Sequence, residues 1–235
     1  MSAPAPVAAV VRTYFRALLT GDRELLATVS LPHPELGSLV PARSPTAAVA
    51  PMLAELGHLQ MTHEPLPAER HLVKAFLGGV VHLLVLRDAP LGPRVDLRHA
   101  IEANRPDDHR RAAARAFYRA LLLGDLPQLR GLAFDDRGIE LLANHEVPAG
   151  EHAQLLHQAE MLGLVELAVG EPFAVPNGVQ FVSDRHAEMG ITVFSGLTPD
   201  GEIPFLVRQR DGAWKVIPFH FLQAAALSRG ATISS

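Results

Sequence analysis

Tyr14-Phe15-Arg16-Ala17-Leu18-Leu19-Thr20-Gly21-Asp22 is followed, 119 − 16 = 103 residues later, by Phe117-Tyr118-Arg119-Ala120-Leu121-Leu122-Leu123-Gly124-Asp125. The same offset superposes Arg12 on Arg115 and Leu26 on Leu129, so the chain reads as two copies of one unit. In each copy the apolar residues recur at three- and four-residue steps, the period of an amphipathic helix. The glycine can take the left-handed backbone that ends a helix. The aspartate after it can cap a second, short helix by accepting from a backbone amide three residues on. Each run is therefore a helix, a stop and a corner.

Outward from these runs, Val7, Val10, Val11, Tyr14 and Leu18 form the buried stripe of the first helix, and Ala113, Phe117 and Leu121 repeat it. Arg111, Arg115 and Arg119, spaced by four, read as a solvated or interdomain face. The proline-rich stretch 31–45 reads as loop, with a short strand over 38–40. Val49, Met52, Leu53 and Leu56 before Gly57 predict a third helix, and 151–162 before Gly163 predict its counterpart. Strands follow in both copies: 60–66, 71–77, 80–87 and 94–101, then 164–169, 173–175, 179–184, 186–195, 203–210 and 214–222. Thr198-Pro199-Asp200-Gly201 and Arg210-Asp211-Gly212-Ala213 supply turn chemistry between the last three. Helices first and an antiparallel meander second make an α+β layer in each copy, 1–106 and 107–235.

The copies also end alike, with Arg94-Val95-Asp96-Leu97-Arg98-His99-Ala100-Ile101 matching Lys215-Val216-Ile217-Pro218-Phe219-His220-Phe221-Leu222 at an offset of 220 − 99 = 121. The offset grows by 121 − 103 = 18 residues, so the second copy holds extra sequence. Longer strands and a hairpin near Thr198 to Gly201 are expected to account for it, giving the second copy a long curved sheet and the first a shortened one.

Composition sets the bounds. A chain of 235 residues exceeds the usual domain of about 100–150, in keeping with two domains. With 48% hydrophobic and 20% charged residues it can bury a core. A formal charge of −4 with dispersed arginines leaves no footprint for nucleic acid. The absence of cysteine excludes disulfides, thiolate catalysis and cysteine-bound zinc. Met1 to Pro6 lacks the basic start and apolar core of a signal peptide, and the apolar run around Val80 to Leu86 is interrupted by His82, well short of the roughly 20 residues that span a bilayer. A cytoplasmic protein with no membrane partner is the simplest expectation.

An amphipathic helix closing on Ala-Leu-x-x-Gly-Asp (Ala17 to Asp22, Ala120 to Asp125), a short second helix, a third helix, and a meander ending in Asp211-Gly212-Ala213-Trp214-Lys215-Val216 resembles the NTF2-like superfamily, also called SnoaL-like or cystatin-like. The resemblance covers almost the whole chain, once per half. It implies a cone in each copy, three helices packed on a curved antiparallel sheet around an apolar pocket. Because members commonly dimerise through the sheet, it also implies that the tandem copies form an intrachain pseudo-dimer, a monomer or homodimer in solution. It implies no cofactor.

Tyr14 looks like the tyrosine that ketosteroid isomerases of this superfamily place seven residues before the glycine of Gly-Asp, where a buried phenol donates to a developing enolate oxygen. That chemistry also needs a carboxylate base and a second acid. After the second helix only Glu35 is offered, the second-acid position is apolar, and Phe117 replaces the tyrosine in the second copy. A packed core tyrosine is the simpler reading. His99 and His220 occupy matching places in phase with apolar neighbours, so they should face inward, as a general base or as hydrogen-bonded core histidines. Trp214 belongs to the closing motif and is a further candidate for a ligand wall.

His186 and Glu188, two apart on an expected strand with Thr192 beyond, share a face and could transfer protons, bind a metal, or lie on a polar sheet face. No third ligand emerges, and no metal site is expected. His152, His157 and Glu160 read as helix surface, and Asp135-Asp136 as turn chemistry. Three functions are compatible with this set: a protein binding a small apolar or aromatic molecule in a cone pocket; a cofactor-independent acid–base enzyme of dehydratase, isomerase, cyclase or hydrolase type; and a protein-interaction scaffold.

Overall fold

Val7, Val11, Tyr14 and Phe15 fall on one side of helix α1 (Ala5–Thr20), and all four are buried. The helix stops at Gly21, whose φ of 73° is costless for a residue without Cβ. The amides of Gly21 and Asp22 turn back to the carbonyls of Leu18 and Ala17, and the Asp22 carboxylate accepts from the Leu25 amide at 2.9 Å to begin α2 (Arg23–Val29). The second run repeats each step: α5 (His109–Leu123) ends at Gly124 with φ 63°, and the Asp125 carboxylate accepts from the Gln128 amide at 3.0 Å to open α6 (Leu126–Leu132).

A computed structural model describes residues 3–40 and 49–229. It is α+β and divides into two compact units, 1–105 and 106–235. The end of the loop expected over 31–45 lies outside the described residues, and the strand expected over 38–40 is instead the last turn of a 3-10 helix, Leu36–Leu39.

In the first unit, α3 (Val49–Glu55) leads into β1 (Gln60–Leu66), β2 (Arg70–Leu77), β3 (Val80–Arg87) and β4 (Arg94–Asp96), an antiparallel meander in the order β1-β2-β3-β4. The strand expected over 94–101 stops at Asp96, and the chain turns into α4 (Arg98–Glu102). His99 therefore sits on a helix. Val73, Ala75, Leu77, Leu84, Leu86 and Val95 cover the sheet face that packs on α1 and α2.

In the second unit, α7 (His152–Glu160) precedes β5 (Leu164–Glu166), and the sheet runs β10-β9-β8-β5, with β8 (Ile191–Thr198), β9 (Gly201–Arg210) and β10 (Ala213–Val216). Its register repeats that of the first unit: Met61 opposite Ala75 becomes Leu164 opposite Gly196, and Leu86 opposite Val95 becomes Val207 opposite Val216. Parallel bridges tie Ser30 to Val95 and, in the same way, Ala133 to Val216. Offsets are 103 up to the first strand and 121 from the second strand onward. The 18 extra residues thus lie between β5 and β8, not near Thr198 to Gly201. They form a separate hairpin, β6 (Pro172–Val175) with β7 (Gly178–Phe181), and helix α8 (Asp184–Glu188).

Two expected strands change class here. The one over 186–195 begins only at Ile191, because Ser183 and His186 cap each other's turn and start α8. The one over 214–222 ends at Val216, and Phe219–Ser228 is helix α9. The second sheet is packed on both faces. Phe117, Leu129, Phe194, Phe205 and Val207 fill the side toward α5 and α6. Val165, Phe173, Val182, Val193 and Leu206 fill the side covered by the hairpin. Fully burying a side chain such as Phe194 contributes about 1.5–3 kcal/mol.

Candidate functional site

Strand β9 is longer than β10: their pairing begins at Val207 opposite Val216, so Glu202 to Pro204 line an edge with no β10 residue beside it. The Leu206 carbonyl accepts from the Ile217 amide on this side, and with alternating backbone groups Pro204 faces the same way. Proline suits that edge because it has no N–H to leave unpaired. Against this edge come the end of β6 on one side and α9 on the other. Between them is a recess of about 320 Å³, lined by Leu121, Val175, Ile203, Pro204, Phe221 and Ala224, with Glu202 and His220 as its ionisable groups.

Glu202 is engaged, since its carboxylate accepts a hydrogen bond from Ser195. His220 is 7% exposed and held between the rings of Phe173 and Phe219, with centroids at 6.0 and 5.6 Å. Its Nδ1 is buried with no hydrogen-bond partner. Burial lowers its pKa, a hydrogen bond with Gln223 opposes that, and nearby His186 adds to the lowering. The ring is therefore neutral near pH 7.

A second recess, of about 370 Å³, gathers Glu166, Ser183, His186, Thr192 and Trp214. Two sequence candidates, His186 and Trp214, thus come together, and His186 also lies edge-on to Phe173 at 6.1 Å. Their polar neighbours are already used. The His186 Nδ1 lies 3.0 Å from both the amide and the hydroxyl of Ser183, and Arg110 reaches Glu166 at 3.1 Å and Thr192 at 3.4 Å. Glu188 is exposed on α8, so the shared strand face expected of His186 and Glu188 does not exist. Among the described residues no cluster of three or more histidines and carboxylates is arranged to hold a metal ion.

The remaining candidates belong to the first unit. Tyr14 is 3% exposed, lies edge-on to Phe15 at 5.4 Å, and is pushed up to about 12 by burial. It is part of the core around α1. His99 is buried beside Asp96. Burial pushes the Asp96 carboxyl up, but Arg98, the Arg98 amide, Arg87 and His99 together hold it below the usual range. Arg87 Nε donates to it at 2.9 Å.

Three side chains not singled out from the sequence also form a chain. His71 Nε2 lies 3.2 Å from the Asp88 carboxylate, and His71 Nδ1 lies 2.9 Å from His63 Nε2. With neutral rings, donation from His71 to Asp88 makes Nδ1 the acceptor for His63, leaving the His63 Nδ1 lone pair outermost. Burial and His71 both lower the His63 pKa. The signal lay in the hairpin: the turn after Leu66 places residues 63 and 71 diagonally on one sheet face. Tyr118 was also passed over. It is 2% exposed, accepts from Gln158 Nε2 at 3.4 Å, and is pushed up to about 12 by burial and the charge of Asp200.

No protein-family model, curated protein or solved structure matches the chain. Among the described residues no helix is long and apolar enough to cross a membrane.

Proposed function

We propose that the chain is a tandem of two NTF2-like units whose second unit binds a small apolar or aromatic molecule at the open edge of β9. The tandem reading is supported by the repeated strand register and by the twin bridges Ser30–Val95 and Ala133–Val216. One observation carries the binding reading: a 320 Å³ recess with apolar walls, whose one carboxylate is engaged by Ser195. That volume falls at the small end of ligand sites and suits one or two fused rings. The site lies beside the sheet rather than between sheet and helices, where Phe117, Phe194 and Phe205 already occupy the interior.

Acid–base catalysis would ask for an ionisable pair within hydrogen-bond reach of one another inside a recess, and in the two recesses Glu202 is engaged by Ser195, Glu166 by Arg110 and His186 by Ser183. The Asp88–His71–His63 chain is such a set, but its three residues line none of the recesses described above. Binding is therefore preferred. The test uses the fluorescence of 2-methoxynaphthalene as an apolar two-ring probe. Saturable binding is expected in the wild type, and Ala224→Trp, at an exposed position on the lip of the recess, should weaken it at least about tenfold, or about 1.4 kcal/mol. Undiminished binding by the Trp variant would overturn the assignment.

A further inference from the structure

We infer that the first unit carries a site for a divalent transition-metal ion, copper(II) foremost, held by Nδ1 of His71 and Nε2 of His63 with the Asp88 carboxylate behind His71. The inference is independent of the recess in the second unit. His63 on β1 and His71 on β2 stand diagonally on one sheet face, and the two nitrogens are 2.9 Å apart. Asp88, just past the end of β3, continues the line, with its carboxylate 3.2 Å from His71 Nε2. An ionised carboxylate can only accept, so the neutral His71 ring keeps its proton on Nε2 and turns a lone pair at Nδ1 toward His63. The geometry of that bond fixes the tautomer.

A carboxylate behind an imidazole orients the ring and raises the basicity of its other nitrogen, which is how metal-binding histidines are commonly held. The spacing also fits. Two nitrogens about 2.0–2.1 Å from one ion stand about 2.9 Å apart across a right angle and about 3.4 Å apart across a tetrahedral one. The 2.9 Å seen here is the right-angle value, that of square-planar copper(II) or nickel(II), and the affinity order of the divalent ions puts copper first. On binding, His63 moves its proton from Nε2 to the outer Nδ1, so both lone pairs turn to the ion and no proton is released. The rings are already tilted by 35° with centroids 4.9 Å apart, and His63 sits on the edge strand with a partly exposed side chain, free to make that turn. Burial and His71 both lower the His63 pKa, which keeps its lone pair for a metal near neutral pH. Two protein nitrogens leave the remaining positions to water, as suits a site on an open sheet face.

The experiment titrates Cu2+ into the full chain against glycine as a competing chelator and follows the tightest site by electron paramagnetic resonance. The wild type should show a tetragonal spectrum, with two imidazole ligands detected through their remote nitrogens in the pulsed measurement. His63→Ala and His71→Ala should each lose that site. Asp88→Asn, at an exposed position that does not touch the ion, should weaken it at least about tenfold while keeping both imidazoles in the spectrum. His157→Ala, on the exposed side of α7, is the control and should change nothing. Far-UV circular dichroism checks that each variant is folded. Should His71→Ala fail to fold, the wild-type spectrum, His63→Ala and Asp88→Asn decide. Fewer than two imidazole ligands in the wild type, a tightest site that survives His63→Ala, or an affinity that Asp88→Asn leaves unchanged would each overturn the inference.

Discussion

At the scale of single residues, the two tyrosines of the chain trade places. Tyr14-Phe15 in the first run is answered by Phe117-Tyr118 in the second, so each unit keeps one phenol, set one helical position, about 100°, away from the other's. Sequence comparison alone made the second copy look as though it had lost its phenol. Tyr118 instead turns toward Gln158 and Thr198. Both phenols are held up to about 12, above the ordinary 10.0, chiefly by burial. A raised folded-state pKa stabilises the fold below pH 10 and loses that contribution as pH rises from about 10 toward 12. Absorbance at 295 nm should therefore show almost no tyrosinate at pH 10.5, with both phenols ionising together as the fold melts at higher pH. A half-titrated signal at pH 10.5 in a folded sample would contradict this placement.

At the scale of elements, the arginine row of α5 gains a purpose that periodicity did not suggest. Arg115 grips Asp107 through two hydrogen bonds of 2.7 and 2.9 Å and turns Nη1 to the carbonyls of Ala159, Glu160 and Leu162. Ala159 and Glu160 end α7, where carbonyls of the last turn run short of intrahelical donors, and Leu162 lies just beyond it. A cation there also opposes the negative end of the helix dipole. Arg115→Ala should lower stability by about 2–3 kcal/mol, as charge-assisted bonds to a half-buried group do. Arg115→Lys should recover little of it, since an ammonium cannot span carboxylate and carbonyls in one plane. Urea denaturation of the two variants measures both effects. The same scale explains the misread strand over 186–195. Ala187, Met189, Ile191 and Val193 alternate as in a strand, but Ser183 caps a turn with His186, and Gly190 at φ 66° separates that turn from β8.

At the scale of the whole molecule, the difference between the units is one insertion. Hairpin β6–β7 and α8 cover Val193 and Leu206 on the second sheet and supply Val175 to the recess. Replacing 170–190 with a three-residue turn like 67–69, with Val193→Thr and Leu206→Thr to suit the uncovered face, should leave far-UV helix content from α5, α6 and α7 in place. It should also eliminate binding of 2-methoxynaphthalene, because one wall of the recess is gone. Binding that persists in this variant would place the ligand elsewhere.

The sequence by itself determined the repeat, the helix stops at Gly21 and Gly124, the aspartate caps, the α+β class and the first three strands of the first unit. All of these depend on residues near one another along the chain, through backbone conformation, capping and short periods. Only the tertiary structure decided where His99 and His220 sit, because at each a short strand, Arg94–Asp96 or Ala213–Val216, gives way to a helix although the apolar residues stay in phase for a strand. It also decided the site. The recess exists because β10 is shorter than β9 and an inserted hairpin stands beside the exposed edge, a meeting of segments 121, 175, 204 and 220 that no local pattern records.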